Sequence, residues 1–225
     1  MKLPLSNRLL ACCAFVRPGD RVADVGCDHG YLGIYLLQHG IASSVIASDV
    51  NEGPLQSALH NAMKFDVRDK MTFYLSNGVQ NIPRDFDTLV CAGMGADTMI
   101  AILGAAPWLK NEKYHLILQC QSKRPQLCRY LSDQGYAIHR ETLAQDGKFL
   151  YPVMETVYAP GESLTDAECY ITPALLQSGS PLLPAFRERV IAGLQLTIQG
   201  LSRTGGEKYE TYQSILEELT HDDRS

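Results

Sequence analysis

At 225 residues, with 45% hydrophobic and 20% charged content, the chain can bury a full core and has the balance of an ordinary globular protein. Its formal net charge of −5 sits in the C-terminal part: residues 1–160 carry 15 Lys+Arg against 15 Asp+Glu, and residues 161–225 carry 5 against 10, which does not advertise nucleic-acid binding but leaves room for a local basic patch. No apolar run approaches the roughly 18–20 residues of a membrane span, and Met1–Ser6 lacks the basic-then-apolar order of a signal peptide, so the default expectation is a cytoplasmic protein without membrane contact.

Residues 5–16 place Leu5, Leu9, Cys12, Cys13 and Val16 on one face, with Ser6 near the start, and predict a short amphipathic helix. Arg17-Pro18-Gly19-Asp20 is a turn, and Val22, Ala23 and Val25 make an apolar, β-branched run that reads as a buried strand. A helical pattern starts near Tyr31, carries Leu32, Tyr35 and Leu36, and stops at Gly40. Strands are predicted at Val45–Asp49, Met71–Leu75, Phe86–Cys91 and Tyr114–Leu118. Between and after them come helices at 52–65, with Pro54 tolerated in the first turn, at Ala96–Leu109, broken late by Pro107, and at 124–134, closed by Gly135. The rhythm then changes. Tyr136–Ala144 and Tyr151–Ala159 read as strands joined through Gln145-Asp146-Gly147-Lys148, where Asp-Gly is a strong hairpin signal. Alternating strands and helices followed by that hairpin give an α/β fold with a mostly parallel sheet and an antiparallel edge. Pro160-Gly161 marks a boundary, dividing the chain into domains at 1–160 and 161–225. In the second, 185–203 and 207–219 read as a helical hairpin linked at Thr204-Gly205-Gly206, with Leu194, Ile198 and Leu201 as its buried stripe.

Ligands of open α/β sheets lie at the carboxyl ends of the strands. Four such ends are polar or glycine-rich here: Asp24-x-Gly26-x-Asp28-His29-Gly30, Asp49, Asn77-Gly78 and Gly93-Met94-Gly95. Each has a plain structural reading alone, as turn, helix cap or hydrogen-bonded histidine. Together on one rim they point to a nucleotide-sized ligand. The first turn lacks G-x-G-x-x-G, with glycines at 26, 30 and 33, and its two carboxylates would repel a pyrophosphate. A cationic ligand such as S-adenosylmethionine suits them better, with Asp49 placed to accept ribose hydroxyls. The seven cysteines form no C-x-x-C pair, so no metal site is expected, and Cys27 reads as a neutral lining residue of the turn.

On these residues the chain resembles the bacterial tRNA (adenine(22)-N1)-methyltransferases, class I enzymes that use S-adenosylmethionine. The resemblance runs through Leu5-Ser6-Asn7-Arg8-Leu9, Asp24-Val25-Gly26-Cys27-Asp28-His29-Gly30-Tyr31-Leu32, Asp49 to Ser57, Ala92-Gly93-Met94-Gly95, Leu116 to Gln119, Gly147-Lys148-Phe149 and the C-terminal helical hairpin, nearly the whole chain. Departures from the family pattern are Asp49 in place of Glu, Ala96 after Gly-Met-Gly, Cys120 after Gln119, and Tyr151-Pro152 where a Tyr-Glu pair is usual.

The resemblance implies a Rossmann-like methyltransferase sheet with a small C-terminal helical hairpin, and methyl transfer from S-adenosylmethionine to adenine N1 in tRNA, leaving S-adenosylhomocysteine. It places Asp24, Gly26, Asp28 and His29 on the methionine part, Asp49 and Val50 on the ribose side, Asn77 and Gly78 at the adenine, and Gly93 and Met94 at the reacting centre. Asp28, His29 and Tyr31 are the candidate catalytic residues, for charge stabilisation, positioning and stacking. Candidate RNA contacts are Arg8, Lys123, Arg124 and Arg129, with Arg187, Arg189 and Arg203 on the helical hairpin. A monomer is the favoured state. Methylation of another RNA or a small molecule, a non-catalytic S-adenosylmethionine-binding protein, and more distantly a nicotinamide dehydrogenase stay open as alternatives.

Overall fold

The computed structural model describes residues 3–203 and 205–221. Met1, Lys2 and the linker residue Thr204 lie outside them. Seven strands form one sheet: β1 (Arg21–Val25), β2 (Ser44–Asp49), β3 (Met71–Leu75), β4 (Thr88–Met94), β5 (His115–Cys120), β6 (Tyr136–Asp146) and β7 (Phe149–Tyr158). Their order is β3-β2-β1-β4-β5-β7-β6. The first five are parallel, while β7 runs antiparallel between β5 and β6. The antiparallel strand is therefore one in from the edge, and β6 is the edge itself.

Period-two alternation sorts the sheet's side chains into two cores. Val22, Val45, Ala47, Val90 and Ile117 pack beneath α1 (Asn7–Cys13), α2 (Tyr31–Gln38) and α3 (Glu52–Lys64). Ala23, Val25, Leu89, Cys91, Leu116 and Leu118 pack against α4 (Ala96–Gly104) and α5 (Arg124–Asp133). Since Val22 faces the first core, Asp24, two residues on, points to that same side.

Several elements differ from expectation. The first helix covers 7–13 rather than 5–16, and Ser6 makes no side-chain cap. Its free N–H groups are capped from 139 residues away instead: Asp146 accepts from Asn7 N (2.9 Å) and Arg8 N (3.2 Å), fastening the helix to the β6–β7 tip. β4 runs on through Met94 with its register shifting between Ala92 and Met94, where Gly93 has φ +82°. The helix predicted to Leu109 ends at Gly104, and a separate 3₁₀ turn covers Pro107–Leu109. β5 extends two residues further, through Gln119 and Cys120.

Past Pro160 the chain crosses α5 and forms α6 (Pro173–Leu176), α7 (Leu183–Leu201) and α8 (Glu207–His221). Leu194, Ile215 and Leu219 pack with Ala167, Ile171, Leu175 and, from β6, Leu143. Ile198 and Leu201 do not belong to this core, so of the predicted stripe Leu194 carries the packing. No helix among the described residues is long and apolar enough to cross a membrane.

Candidate methyl-donor site

The parallel strands end on one rim, and local hydrogen bonds knit three of those ends together. Gly26 N and Cys27 N donate to Ser48 O (2.8 and 2.9 Å), holding the first turn against β2. Asp49 accepts from Asp28 N (3.3 Å) and Asn51 N (2.9 Å), and its own carbonyl accepts from Ser76 N (2.9 Å). The turn needs left-handed backbone at Gly26 (φ +72°), Asp28 (φ +51°) and Gly30 (φ +71°). The left-handed φ is what favours glycine at 26, and the Met94 side chain, whose flexible end lies against that glycine, would have to shift for a Cβ.

Asp24 is the electrostatic centre of the rim. It is buried at the end of β1, and its Oδ2 has no hydrogen-bond partner. Burial is the main cause that lifts its carboxyl from an ordinary value to about 7; Asp49 and Asp28 push the same way, and the Gly33 N–H opposes them. A buried carboxylate oxygen without a donor costs free energy until a cation or N–H meets it. Burial likewise pushes the Cys27 thiol far up, so it lines the turn as a neutral group.

Arg8, Asp24, Gly26, Asp28, His29 and Tyr31 line one small cavity of about 80 Å³, room for two or three waters or one ammonium-bearing group. Asp28 and His29 stand at its outer edge, largely in solvent, with Nε2 of His29 3.6 Å from the Asp28 carboxylate and its ring 5.8 Å from that of Tyr31. Further along the rim, Val50 and Leu75 are 62% and 53% exposed at adjacent strand ends, apolar surfaces fit for the face of a purine. Asn77 is exposed beside them, and Gly78 is buried where a Cβ would meet Ile102 at 2.8 Å. These residues fit S-adenosylmethionine: an open carboxylate for its ammonium, a second acid at ribose distance and apolar ground for its base.

Gln119 is a participant the sequence reading did not single out for the site. Fully buried at the end of β5, its Oε1 accepts from Gly93 N (3.1 Å) and Arg8 Nη1 (3.0 Å), fixing the β4 bulge. Its sequence signals are an amide closing an otherwise apolar strand and its place at the end of the family-like stretch Leu116 to Gln119.

The candidate RNA contacts are not brought together. Arg8 belongs to the rim, bonded to Gln119. Arg124 is a correction: it is buried, paired with Glu141 and donating to Cys169 O and Tyr170 O (3.2 and 2.9 Å), so its guanidinium has no face for a phosphate. Lys123 pairs with Asp97 (2.7 Å) and Arg129 with Asp166 (2.7 Å), while Arg187 donates to Leu219 O. Arg189 and Arg203 are exposed on the helical hairpin.

A family model described as a methyltransferase domain matches residues 5–154. The chain is 31% identical over 149 residues to the tRNA (adenine(22)-N(1))-methyltransferase of Bacillus subtilis, covering 65% of this chain and 63% of that protein. A Mycoplasma genitalium relative is 32% identical over 136 residues, 59% of this chain and 60% of that one. These alignments thus span about three fifths of both curated relatives. Among solved structures, a Streptococcus agalactiae protein of the NADB-Rossmann superfamily superposes with a TM-score of 0.87 at 26% identity, covering 98% of each chain. A Streptococcus pneumoniae protein in complex with S-adenosyl-L-methionine gives 0.80 at 26% identity, covering 96% of this chain and 98% of that one.

Proposed function

This chain belongs to the methyltransferase-domain family, and from that premise we propose that it transfers a methyl group from S-adenosylmethionine to N1 of an adenine, at position 22, in bacterial tRNA. The observation that carries the donor is Asp24, a buried carboxylate with an open oxygen on the rim, which a cationic ligand satisfies and a pyrophosphate does not. The Bacillus subtilis relative supports the acceptor, and the superposition over 96% of this chain and 98% of the Streptococcus pneumoniae protein supports carrying it over. On this reading residues 1–160 form the catalytic domain and 161–225 an appended helical domain, and the protein acts in the cytoplasm as a monomer.

When bound, S-adenosylmethionine supplies an electrophilic methyl on a sulfonium that leaves as the neutral thioether of S-adenosylhomocysteine. Adenine N1 attacks with its free lone pair, so no base has to remove a proton first. The chain's tasks are to align the base, exclude water and tolerate the cation that forms on the ring. Asp24 anchors the donor's ammonium, and Asp49 orients both the ribose and, through the Asp28 N–H, the turn itself. Met94 lies across Gly26, where the Gln119–Arg8 pair steadies the neighbouring Gly93. Asp28, largely in solvent at the outer edge of the cavity, is the acid open to an incoming base, with the rings of His29 and Tyr31 beside it as stacking surfaces.

Incubation with labelled methyl donor and unmodified bacterial tRNA, followed by mapping of 1-methyladenine, tests the reaction. Label at adenine 22 is the expected result; donor binding with no label in tRNA turns the choice to a small-molecule acceptor. Asp28→Asn, which keeps a side chain tolerant of the left-handed backbone there, should lower turnover far more than it weakens donor binding by calorimetry, and near-normal turnover would remove its assigned role.

A further inference from the structure

Beside the rim lies a larger hollow whose lining is distinct from that of the cavity around Asp24. Its volume is about 500 Å³, in the range of cavities that hold a whole small ligand. One wall is the loop Gln121–Lys123 after β5, another the β6–β7 tip, and the third α7 with Tyr170 and Tyr212. No residue lining it is Asp or Glu, although the chain's net charge is −5. Arg189, on its α7 wall, is exposed and makes no ion pair among the described residues.

At the tip, Phe149 is 53% exposed, with Lys148 Nζ 5.4 Å from its ring centre and the Tyr151 ring 6.1 Å away. Exposed aromatic rings beside unpaired cations are what single-stranded nucleic acid stacks upon. The hollow adjoins the rim. Gln121 N donates to Met94 O (2.8 Å), and a Cβ on Gly95 would stand 2.8 Å from Ser122 Oγ, yet the hollow and the small cavity around Asp24 share no lining residue.

We propose that this hollow receives an unpaired base of the RNA substrate next to the adenine that is methylated, stacked on Phe149 and Tyr151, with Arg189 on its phosphate. The proposal rests on the tRNA-methylating reading of the rim. The base assigned to the hollow is a neighbour of the target; a hollow that seated the target itself would leave both neighbouring bases unstacked on Phe149. Drawing one adenine out of a stacked strand exposes the bases beside it, and seating one of them offsets that cost.

The test uses the full chain and an unmodified tRNA carrying 2-aminopurine at one or the other neighbour of the target adenine. Quenching of one of the two probes on binding is expected. In Phe149→Ala, exposed at a hairpin tip, the quench is lost and KM for tRNA rises roughly tenfold, the effect of one stacked base; kcat and donor affinity stay within twofold. Phe149→Trp restores both quench and KM, and Arg189→Ala raises KM without touching donor affinity. Absence of quenching at both neighbours in a wild-type protein that binds and methylates tRNA overturns the proposal and leaves the function standing. A quench that survives both Phe149→Ala and Tyr151→Ala overturns it as well. A wild-type protein that neither binds nor methylates tRNA brings down the underlying reading, and this one with it.

Discussion

At the scale of single residues, Asp24 has two pH signatures of opposite sign. Below about 7 its carboxyl is neutral and offers a cation little; above, it is ionised. Affinity for S-adenosylmethionine should therefore climb between pH 5.5 and 7, by up to about tenfold per pH unit, a window below the titration of an α-amino group at about 7.7–8.0. Stability of the ligand-free protein moves the other way. The unfolded chain gives up this proton near an ordinary carboxylate pH while the folded chain holds it to about 7, so between them the unfolded state binds fewer protons and stability falls as pH rises. Asp24→Asn should flatten both profiles, raise the ligand-free Tm at neutral pH by about 2–4 °C for each kcal/mol recovered, and weaken donor binding at least tenfold. Calorimetry and thermal melts read these, and an unchanged pH profile of affinity in the variant would separate Asp24 from the ligand. Gly26→Ala forces a left-handed backbone on alanine and displaces the Met94 side chain, so it should weaken donor binding about tenfold, the effect of a strain of about 1–3 kcal/mol, while the far sheet edge stays folded.

At the scale of elements, Arg124 changes meaning once its surroundings are known. It opens α5 and ties that helix to Glu141 on β6 and to the chain at Cys169–Tyr170, while Thr172 donates to the same buried carboxylate. Arg124→Ala removes the cationic partner of the buried Glu141, a loss of about 3–5 kcal/mol and a fall in Tm on the order of 10 °C. An Arg124→Met/Glu141→Leu pair should recover part of it, and a single variant melting within 2 or 3 °C of wild type would show that this rivet is not structural. Nothing in Lys123-Arg124-Pro125 announces this, because Glu141 reaches it only through the fold. Strand-by-strand alternation and the acids at strand ends were legible, being local patterns of period and spacing. The extension of β4 was not: Ala92-Gly93-Met94 has turn composition, and the strand passes through it only because Gly93 takes up a bulge against β5. Gln119 and Arg8, 111 residues apart, are one unit for the same reason. The four-residue α6 rests on a Thr172 cap and Pro173, a signal too short to stand out from a loop.

At the scale of the molecule, charge decides how RNA could be held. With 25 acids against 20 bases, the surface repels a polyanion on average, so binding must come from a few placed cations and from stacking. Of the seven arginines and lysine read from sequence as contacts, Arg124 is enclosed, Arg8 is engaged at the rim, and Lys123 and Arg129 share their charge with Asp97 and Asp166. Arg187 donates to Leu219 O, and of the exposed pair Arg189 and Arg203, Arg189 beside the hollow is the strongest phosphate contact. The plot of log affinity for tRNA against log salt should then be negative but shallow, a slope of a few rather than the steep dependence of proteins that neutralise many phosphates, at about −0.7 to −0.9 per contact. Arg189→Ala should reduce that slope by about 1, Lys123→Ala by less because Asp97 already screens it, and the Arg124→Met/Glu141→Leu pair not at all. Filter binding between 50 and 200 mM salt separates these cases: a flat line for the wild type removes tRNA as the acceptor, and an unaltered slope in Arg189→Ala moves the phosphate contact elsewhere on the hairpin.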